Sequence, residues 1–329
     1  MNIIWKILIG IVSVLIVVIL GGLIYLNTAF PDVGPPPEIT VEETPEQIAR
    51  GAYLANHVSV CMDCHSERDW TKFAGPPKAG TWGKGGDVFD EKIGLPGVIY
   101  SRNITPVGLG DWTDGEIYHA ITTGVRKNGE PLFPIMPYPA YGYMDPRDVK
   151  AIIAYLRTLE PLEGEYPDHE LNFPLNLIVR TIPEPAQPMT RPDRSDVVAY
   201  GEYMMKIAGC TDCHTPVEKG TPIPGKFLAG GTEYHLPGIG IIRSSNLTPD
   251  KMTGLGNWTE EMFVEKFKSM ATEEAQNIPV EKGAFNTIMP WGMYGGMEES
   301  DLRAMYAYLR TIQPIPNQVI KYTPAAELN

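Results

Sequence analysis

The sequence is short of basic charge and contains no basic run: 27 Lys and Arg stand against 40 Asp and Glu, a formal net charge of −13 over 329 residues. Nucleic-acid binding rests mainly on neutralising phosphates with Lys and Arg, so that class of function is set aside. Cysteine is scarce, at four residues. Strand signals are weak along the whole chain, and long apolar runs are missing apart from one. Gly (33) and Pro (31) are plentiful and together make up about 19% of the chain, well above the roughly 12% average. That share excludes a helix-dense bundle, and 43% hydrophobic residues argue against plain disorder. The expectation is a chain with long loops whose interior has room for something other than side chains. At roughly 100 to 200 residues per domain, the length predicts two domains.

The one apolar run, Ile7 to Leu26, is 20 residues without a charge. At about 1.5 Å per helical residue it spans a hydrocarbon core of roughly 30 Å. A cleaved signal peptide is the rival reading, but its apolar stretch is usually about 7 to 15 residues, and Tyr25 to Phe30 is a poor cleavage site. An uncleaved anchor is therefore expected. Lys6 on its short N-terminal side places the tail in the cytoplasm and everything after residue 26 outside.

Beyond a Pro-rich spacer the chain repeats itself. Gly51-Ala-Tyr-Leu leads to Cys61-Met-Asp-Cys64-His65, and Gly201-Glu-Tyr-Met leads to Cys210-Thr-Asp-Cys213-His214. Asn103-Ile-Thr-Pro, Trp112-Thr, Ile135-Met136-Pro137 and Ala154-Tyr-Leu-Arg-Thr recur as Asn246-Leu-Thr-Pro, Trp258-Thr, Ile288-Met289-Pro290 and Ala307-Tyr-Leu-Arg-Thr. Two copies of this length are two domains rather than solenoid units. The expected division is a tail (1–6), an anchor (7–26), a spacer (27–43), a first domain (44–160), a Pro-rich linker (161–193), a second domain (194–316) and a C-terminal tail (317–329). The linker stretch Phe173 to Val179 is too apolar for a free tether and is expected to pack across the two domains.

Local signals give three helices per copy. Thr44-Pro45-Glu46-Gln47 reads as a capping box opening a helix that runs to the first cysteine pair. Thr113-Asp-Gly-Glu116 is another, ended by Gly124. Asp145-Pro146 opens the third, with Val149, Ile152, Ile153, Leu156 and Leu159 on one stripe, matched by Leu302, Met305, Tyr306, Leu309 and Ile312. The fold class is mainly α and loop-rich, a tandem repeat behind an N-terminal transmembrane helix.

A Cys-x-x-Cys-His run is the sequence signature of c-type haem attachment. Positions i, i+3 and i+4 of a helical turn share a face, so two thiols can bond the porphyrin edge while the imidazole reaches the iron. Two such runs predict two covalent haem c groups, held by Cys61, Cys64, Cys210 and Cys213, with His65 and His214 on the irons. A zinc ribbon would bring its cysteine pairs about 15 to 20 residues apart, far closer than here. Disulfides would leave the attached His unexplained. Haem attachment uses all four thiols, so neither a disulfide nor a free Cys is expected.

The sixth ligand separates carrier from enzyme. His57, His119, His169 and His235 have no matching His in the other copy and read as ordinary surface or satisfied histidines. Met136 and Met289 sit in matching Ile-Met-Pro segments, where the following Pro favours an extended backbone suited to a ligand loop. Met144 and Met297 also match, but a Met at a helix start is more often core filler. His/Met ligation leaves no open site and suits electron transfer. Trp112 and Trp258 can donate to a haem propionate, and Asn103 and Asn246 can pin the loop beside it; a core Trp and a turn Asn serve equally well as readings.

From residue 44 to about 316 the chain resembles the di-haem members of the class I cytochrome c superfamily, on Ser245-Asn-Leu-Thr-Pro-Asp250, Thr253-Gly-Leu-Gly-Asn-Trp-Thr259, Met136-Pro-Tyr-Pro-Ala-Tyr141 and Ala151-Ile-Ile-Ala-Tyr-Leu-Arg-Thr158. It is most similar to the haem-binding halves of cytochrome subunits serving periplasmic alcohol, aldehyde and sugar-acid (gluconate) dehydrogenases. The resemblance implies covalent haem c in an exported compartment, Met of Met-Pro as axial ligand, and electron transfer from a dehydrogenase or quinol toward an oxidase or soluble cytochrome. The chain departs from those subunits in having two motifs rather than three and an N-terminal anchor, in a first copy lengthened at 76–93, and in a different loop at 270–288. The expected function is an electron carrier rather than an enzyme, single-pass in the inner membrane with its haem domains on the periplasmic side. A di-haem peroxidase with one iron open to substrate is the alternative.

Overall fold

The structure is a computed structural model and describes residues 2–218 and 220–328. It is helix-rich with three small antiparallel sheets. Helix α1 (Ile3–Ala29) extends the apolar run on both sides and buries none of its residues. It is the one helix among the described residues long and apolar enough to cross a membrane.

Helix α2 (Pro45–Tyr53) starts where Thr44 Oγ1 accepts the Gln47 amide, at 3.3 Å; this is one half of the expected capping box. The helix reaches the cysteines by widening. Leu54 to Val58 form a π turn closed by the Ser59 amide on the Leu54 carbonyl, a local register change of the kind found near functional sites. A short α3 (Cys61–Cys64) carries the first motif. After β1 (Val88–Phe89), β2 (Gly97–Tyr100) and α4 (Pro106–Leu109), α5 (Asp114–Thr123) has the full Thr113/Glu116 capping box and ends on left-handed Gly124. Then come α6 (Tyr138–Tyr141) and α7 (Pro146–Arg157), the latter capped by Asp145. Between the halves lie β3 (Glu170–Leu171) and α8 (Leu175–Ile178).

The second half repeats the plan. Helices α9 (Val197–Ile207) and α10 (Cys210–His214) match α2 and α3. Strands β4 (Val217–Glu218) and β5 (Thr221–Pro222) form a small ribbon, and β6 (Glu233–Leu236) pairs with β7 (Gly240–Arg243). Helices α11 (Glu260–Lys268), α12 (Glu273–Gln276), α13 (Trp291–Gly295) and α14 (Glu299–Leu309) follow, and β8 (Tyr322–Pro324) returns to pair with β7.

Two expectations change. Residues read as linker and tail contribute β3 and β8, which close equivalent three-stranded sheets, β1-β2-β3 and β6-β7-β8. These strands are two or three residues long, too short to leave a period-2 pattern. Phe173 to Val179 do not pack across the two halves: Phe173 and Ile178 are exposed, and the 3₁₀ turn Val179–Thr181 lies against α1. An apolar composition signals an apolar neighbour without saying which one.

In each half the helix leading to the motif crosses the third helix backbone to backbone. A Cβ on Gly51 would lie 1.8 Å from the Ala151 carbonyl oxygen, and one on Gly201 would lie 1.9 Å from that of Ala304. Only glycine permits α2 on α7 and α9 on α14 at this separation.

The halves meet along a reciprocal seam. Tyr53 of the first donates its hydroxyl to Asp301 of the second at 2.8 Å, and Tyr203 of the second donates to Asp148 of the first at 2.7 Å. Both carboxylates are buried and are completed by arginines, Arg50 and Arg191 on Asp148 and Arg194 on Asp301. The extra segment at 270–288 is a clasp. Its buried Asn286 side chain accepts the Ala74 amide and donates to the Lys72 carbonyl, while Phe73 and Val280 exchange main-chain bonds with Ile278 and Thr71.

A hydrogen bond to a buried charged acceptor contributes about 1.5–3 kcal/mol. Tyr53→Phe and Tyr203→Phe are each expected to cost about that much, and the double variant to depart from the sum because Arg50 lies over the Tyr53 ring and also holds Asp148. Denaturant unfolding of both single variants and the double variant tests this; no loss in either single variant would show the seam to be ornamental.

Candidate cofactor-attachment site

Each motif begins on a left-handed residue. Gly209 (φ 66°) does so without strain, whereas Val60 (φ 45°) is β-branched and out of place there. Strain of this kind persists where the surroundings enforce it, commonly at functional sites. The turn after it directs both cysteines of the pair and the histidine from one short helix.

None of the four cysteines is in a disulfide among the described residues. Burial pushes Cys61, Cys64 and Cys210 up to about 12, so these thiols are neutral at ordinary pH. His65 Nδ1 lies 2.7 Å from the Arg102 carbonyl oxygen, and His214 Nδ1 lies 2.8 Å from that of Ser245. A carbonyl only accepts, so Nδ1 carries the proton and Nε2 keeps its lone pair, the tautomer and orientation of an axial metal ligand. Burial lowers both imidazoles from their ordinary value, which keeps them neutral.

The accepting carbonyls are themselves held. Asn103, next to Arg102, donates to the Leu162 carbonyl at 2.7 Å and accepts from the Thr105 amide and hydroxyl. Asn246, next to Ser245, donates to Ile315 at 2.8 Å and accepts from Thr248 in the same way. Both buried amides are fully engaged in pinning the loop, one of the two roles their sequence context allowed. Trp112 and Trp258 are half-buried against the core, and among the described residues their indole N–H groups bond no protein acceptor.

Met136 and Met289 are half-buried at matching turns, where the Tyr138 and Trp291 amides each return to the methionine carbonyl at 2.7 Å. Met144 and Met297 are fully buried in the apolar core. The methionine segments are tied to the motifs by tyrosines that sequence reasoning did not single out. Tyr141 donates to the Ser59 carbonyl at 2.7 Å and Tyr294 to the Ala208 carbonyl at 2.6 Å, each two residues ahead of a first cysteine. Their signal was present: a Tyr stands five residues after Met in both copies. His57 and His119 have backbone carbonyls as partners, while the shielded ring nitrogens of half-buried His169 have none among the described residues.

The donor set fits a covalently held haem: per motif, two thiols and one imidazole with a free, oriented Nε2. Buried polar atoms with no protein partner stand near this machinery, the Tyr138 hydroxyl two residues after Met136 and Arg102 Nε beside the histidine clamp. Electrostatically the first motif is enriched. Asp63, inside it, is ion-paired with buried Arg68 at 3.0 Å, and burial pushes both Asp63 and Asp87 up to about 6 against the pull of Arg68.

No family model matches the chain. It is 33% identical over 236 residues, 65% of this chain and 49% of the relative, to the gluconate 2-dehydrogenase cytochrome c subunit of Pantoea cypripedii. It is 29% identical over 292 residues, 84% of this chain and 58% of the relative, to the alcohol dehydrogenase (quinone) cytochrome c subunit of Gluconacetobacter polyoxogenes. A diheme cytochrome c-type protein of Cereibacter sphaeroides is 26% identical over 231 residues, 67% of this chain and 73% of the relative. The chain thus resembles cytochrome c subunits of dehydrogenases, and it spans about half the length of those subunits.

Asp87 gives a pH dependence. Unfolded carboxylates titrate near ~4, so between about pH 4 and pH 6 the folded chain holds a proton that the unfolded chain has released, and stability falls as pH rises through that window. Asp87→Asn is expected to flatten part of this fall and to raise stability near neutral pH by on the order of 1 kcal/mol. Thermal melts on either side of the window check it; an unchanged profile would refute the assignment.

Proposed function

We propose that this chain is a membrane-anchored di-haem c-type cytochrome whose task is to pass electrons, as a partner of a dehydrogenase or quinol on one side and an oxidase or soluble cytochrome on the other. The observation that carries the reading is the repeated Cys-x-x-Cys-His turn with Nδ1 clamped to a carbonyl in both halves. When bound, haem c supplies one-electron chemistry at its iron. Cys61, Cys64, Cys210 and Cys213 hold the two groups covalently, and His65 and His214 present Nε2. The clamps from Arg102 and Ser245, pinned by Asn103 and Asn246, keep both rings oriented and electron-rich.

Met136 and Met289 would supply the thioethers that hold the irons opposite His65 and His214. They stand at matching turns and are only partly buried at the edge of the core, whereas Met144 and Met297 lie fully inside it. His65 with Met136, and His214 with Met289, would hold the two irons from the protein alone, which suits a carrier rather than an enzyme. In this reading each half is a cytochrome c domain, and helix α1 holds the protein in the inner membrane with both domains on the periplasmic side. The names of its relatives support the dehydrogenase as donor. The acidic surface favours a basic contact patch on a partner.

Haem quantification should give two covalent groups per chain, and the oxidised absorption spectrum two low-spin, methionine-ligated centres. Met136→Ala and Met289→Ala should each remove about half of the methionine-ligation signal and lower one reduction potential, while Met144→Leu leaves the spectrum unaltered. A single covalent haem, or a Met136→Ala spectrum indistinguishable from wild type, would sink the respective assignment.

A further inference from the structure

One apolar segment has no part in the cofactor sites. From Leu171 to Val179 the chain carries no charge. Phe173 is 80% exposed and Ile178 48% exposed. The segment is nevertheless held in place. Strand β3 pairs Glu170 with Val98, the Asn172 amide donates to the Pro96 carbonyl at 3.1 Å, and the Asn172 side chain donates to Glu91. At the other end Val179 is buried. Large apolar side chains presented on a fixed segment mark an interaction surface.

Helix α1 identifies what covers it. Among its described residues, only Leu23, Leu26 and Ala29 are partly covered, a stripe of spacing three at its C-terminal end. The turn Val179–Thr181, directly after α8, packs on α1. Leu23 and Leu26 belong to the uncharged run Ile7 to Leu26. The covering segment therefore lies at the level where that run leaves the hydrocarbon.

We propose that residues 173–178 form a second contact with the bilayer that α1 spans, with Phe173, Leu177 and Ile178 entering the boundary between headgroups and acyl chains. The inference rests on the reading of α1 as a membrane span. Short apolar segments enter this boundary to a depth of roughly 5–10 Å. Arg180, the first charge after the segment, is placed to extend to lipid phosphates while its stem stays apolar. Two contacts fix an orientation where one permits swivelling. The folded part is thereby held against the membrane at a set tilt, with its α1-proximal face turned to the lipid and its remaining surface left for redox partners.

The test places p-benzoylphenylalanine at Phe173 in the full-length, haem-loaded chain, reconstituted in nanodiscs of phosphatidylcholine and phosphatidylglycerol. Probes at Leu15, in the middle of α1, and at exposed Phe227 in the second half serve as comparators, and a fourth probe at Ile178 guards against a misfolded Phe173 variant. After irradiation, mass spectrometry should find lipid adducts at Leu15, Phe173 and Ile178 in several-fold excess over Phe227. Adducts at Leu15 with neither Phe173 nor Ile178 above Phe227 overturn the proposal while the anchor stands. Adducts to protein rather than lipid at Phe173 and Ile178 also overturn it. No lipid adduct at Leu15 removes the anchor reading, and this inference with it.

Discussion

The arrangement of both halves depends on two places where helix backbones touch with nothing between them. At Gly51 on Ala151, and at Gly201 on Ala304, a single methyl group would have to occupy space already filled by a carbonyl oxygen. Contact this close fixes the position of α2 relative to α7, and of α9 relative to α14, far more tightly than interdigitating side chains would. Each cysteine motif follows such a helix within a few residues, so the crossing sets where the thiols and the imidazole emerge. The same crossing brings Asp148 and Asp301, near the N-termini of the third helices, to the seam between halves.

That seam is unusual in its chemistry. Buried carboxylates are expensive when unpaired and close to neutral when every oxygen is satisfied. Asp148 is satisfied by Arg50, Arg191 and Tyr203, and Asp301 by Arg194, Tyr53 and the more distant Tyr200. The tyrosines cross over, each from the helix that leads to its own motif. A change in the angle between halves would strip a buried anion of a donor on both sides at once. The reciprocity therefore supplies orientation more than net stability. The π turn adds a third point of fit: the His57 ring fills the space above Gly296, where a Cβ would lie 2.1 Å from Nδ1.

The legible parts of the sequence were those with a local code. The Thr113/Glu116 box, Gly124, Asp145 and the apolar stripe of α7 appear where they were read, because capping and helical periodicity act within a few residues. The repeat was legible because equivalent residues keep equivalent jobs: Asn103 and Asn246 each accept from the Thr two residues on and donate to a carbonyl after the third helix. Contacts between the halves were not legible. Nothing local marks Tyr53 and Tyr203 as partners of Asp301 and Asp148, since the bonds span 248 and 55 residues. The short strands β3 and β8 escaped because they exist only as additions to a sheet edge. The half-capped start of α2 shows the converse error, a local motif of which tertiary packing used only one bond.

The linker shows most clearly what composition encodes. The apolar composition of Phe173 to Val179 suggested a protein neighbour across the two halves, yet Phe173 and Ile178 are exposed. Hydrophobicity is non-directional and names no partner. The deciding information is topological: β3 fastens one end of the segment to the sheet of the first half, and the turn after α8 fastens the other to α1. With both ends committed to the first half and the helix, the segment cannot reach across to the second. Its remaining apolar neighbour is whatever surrounds the end of α1. An apolar linker beside an apolar helix is thus read better through where its ends are tied than through its own residues.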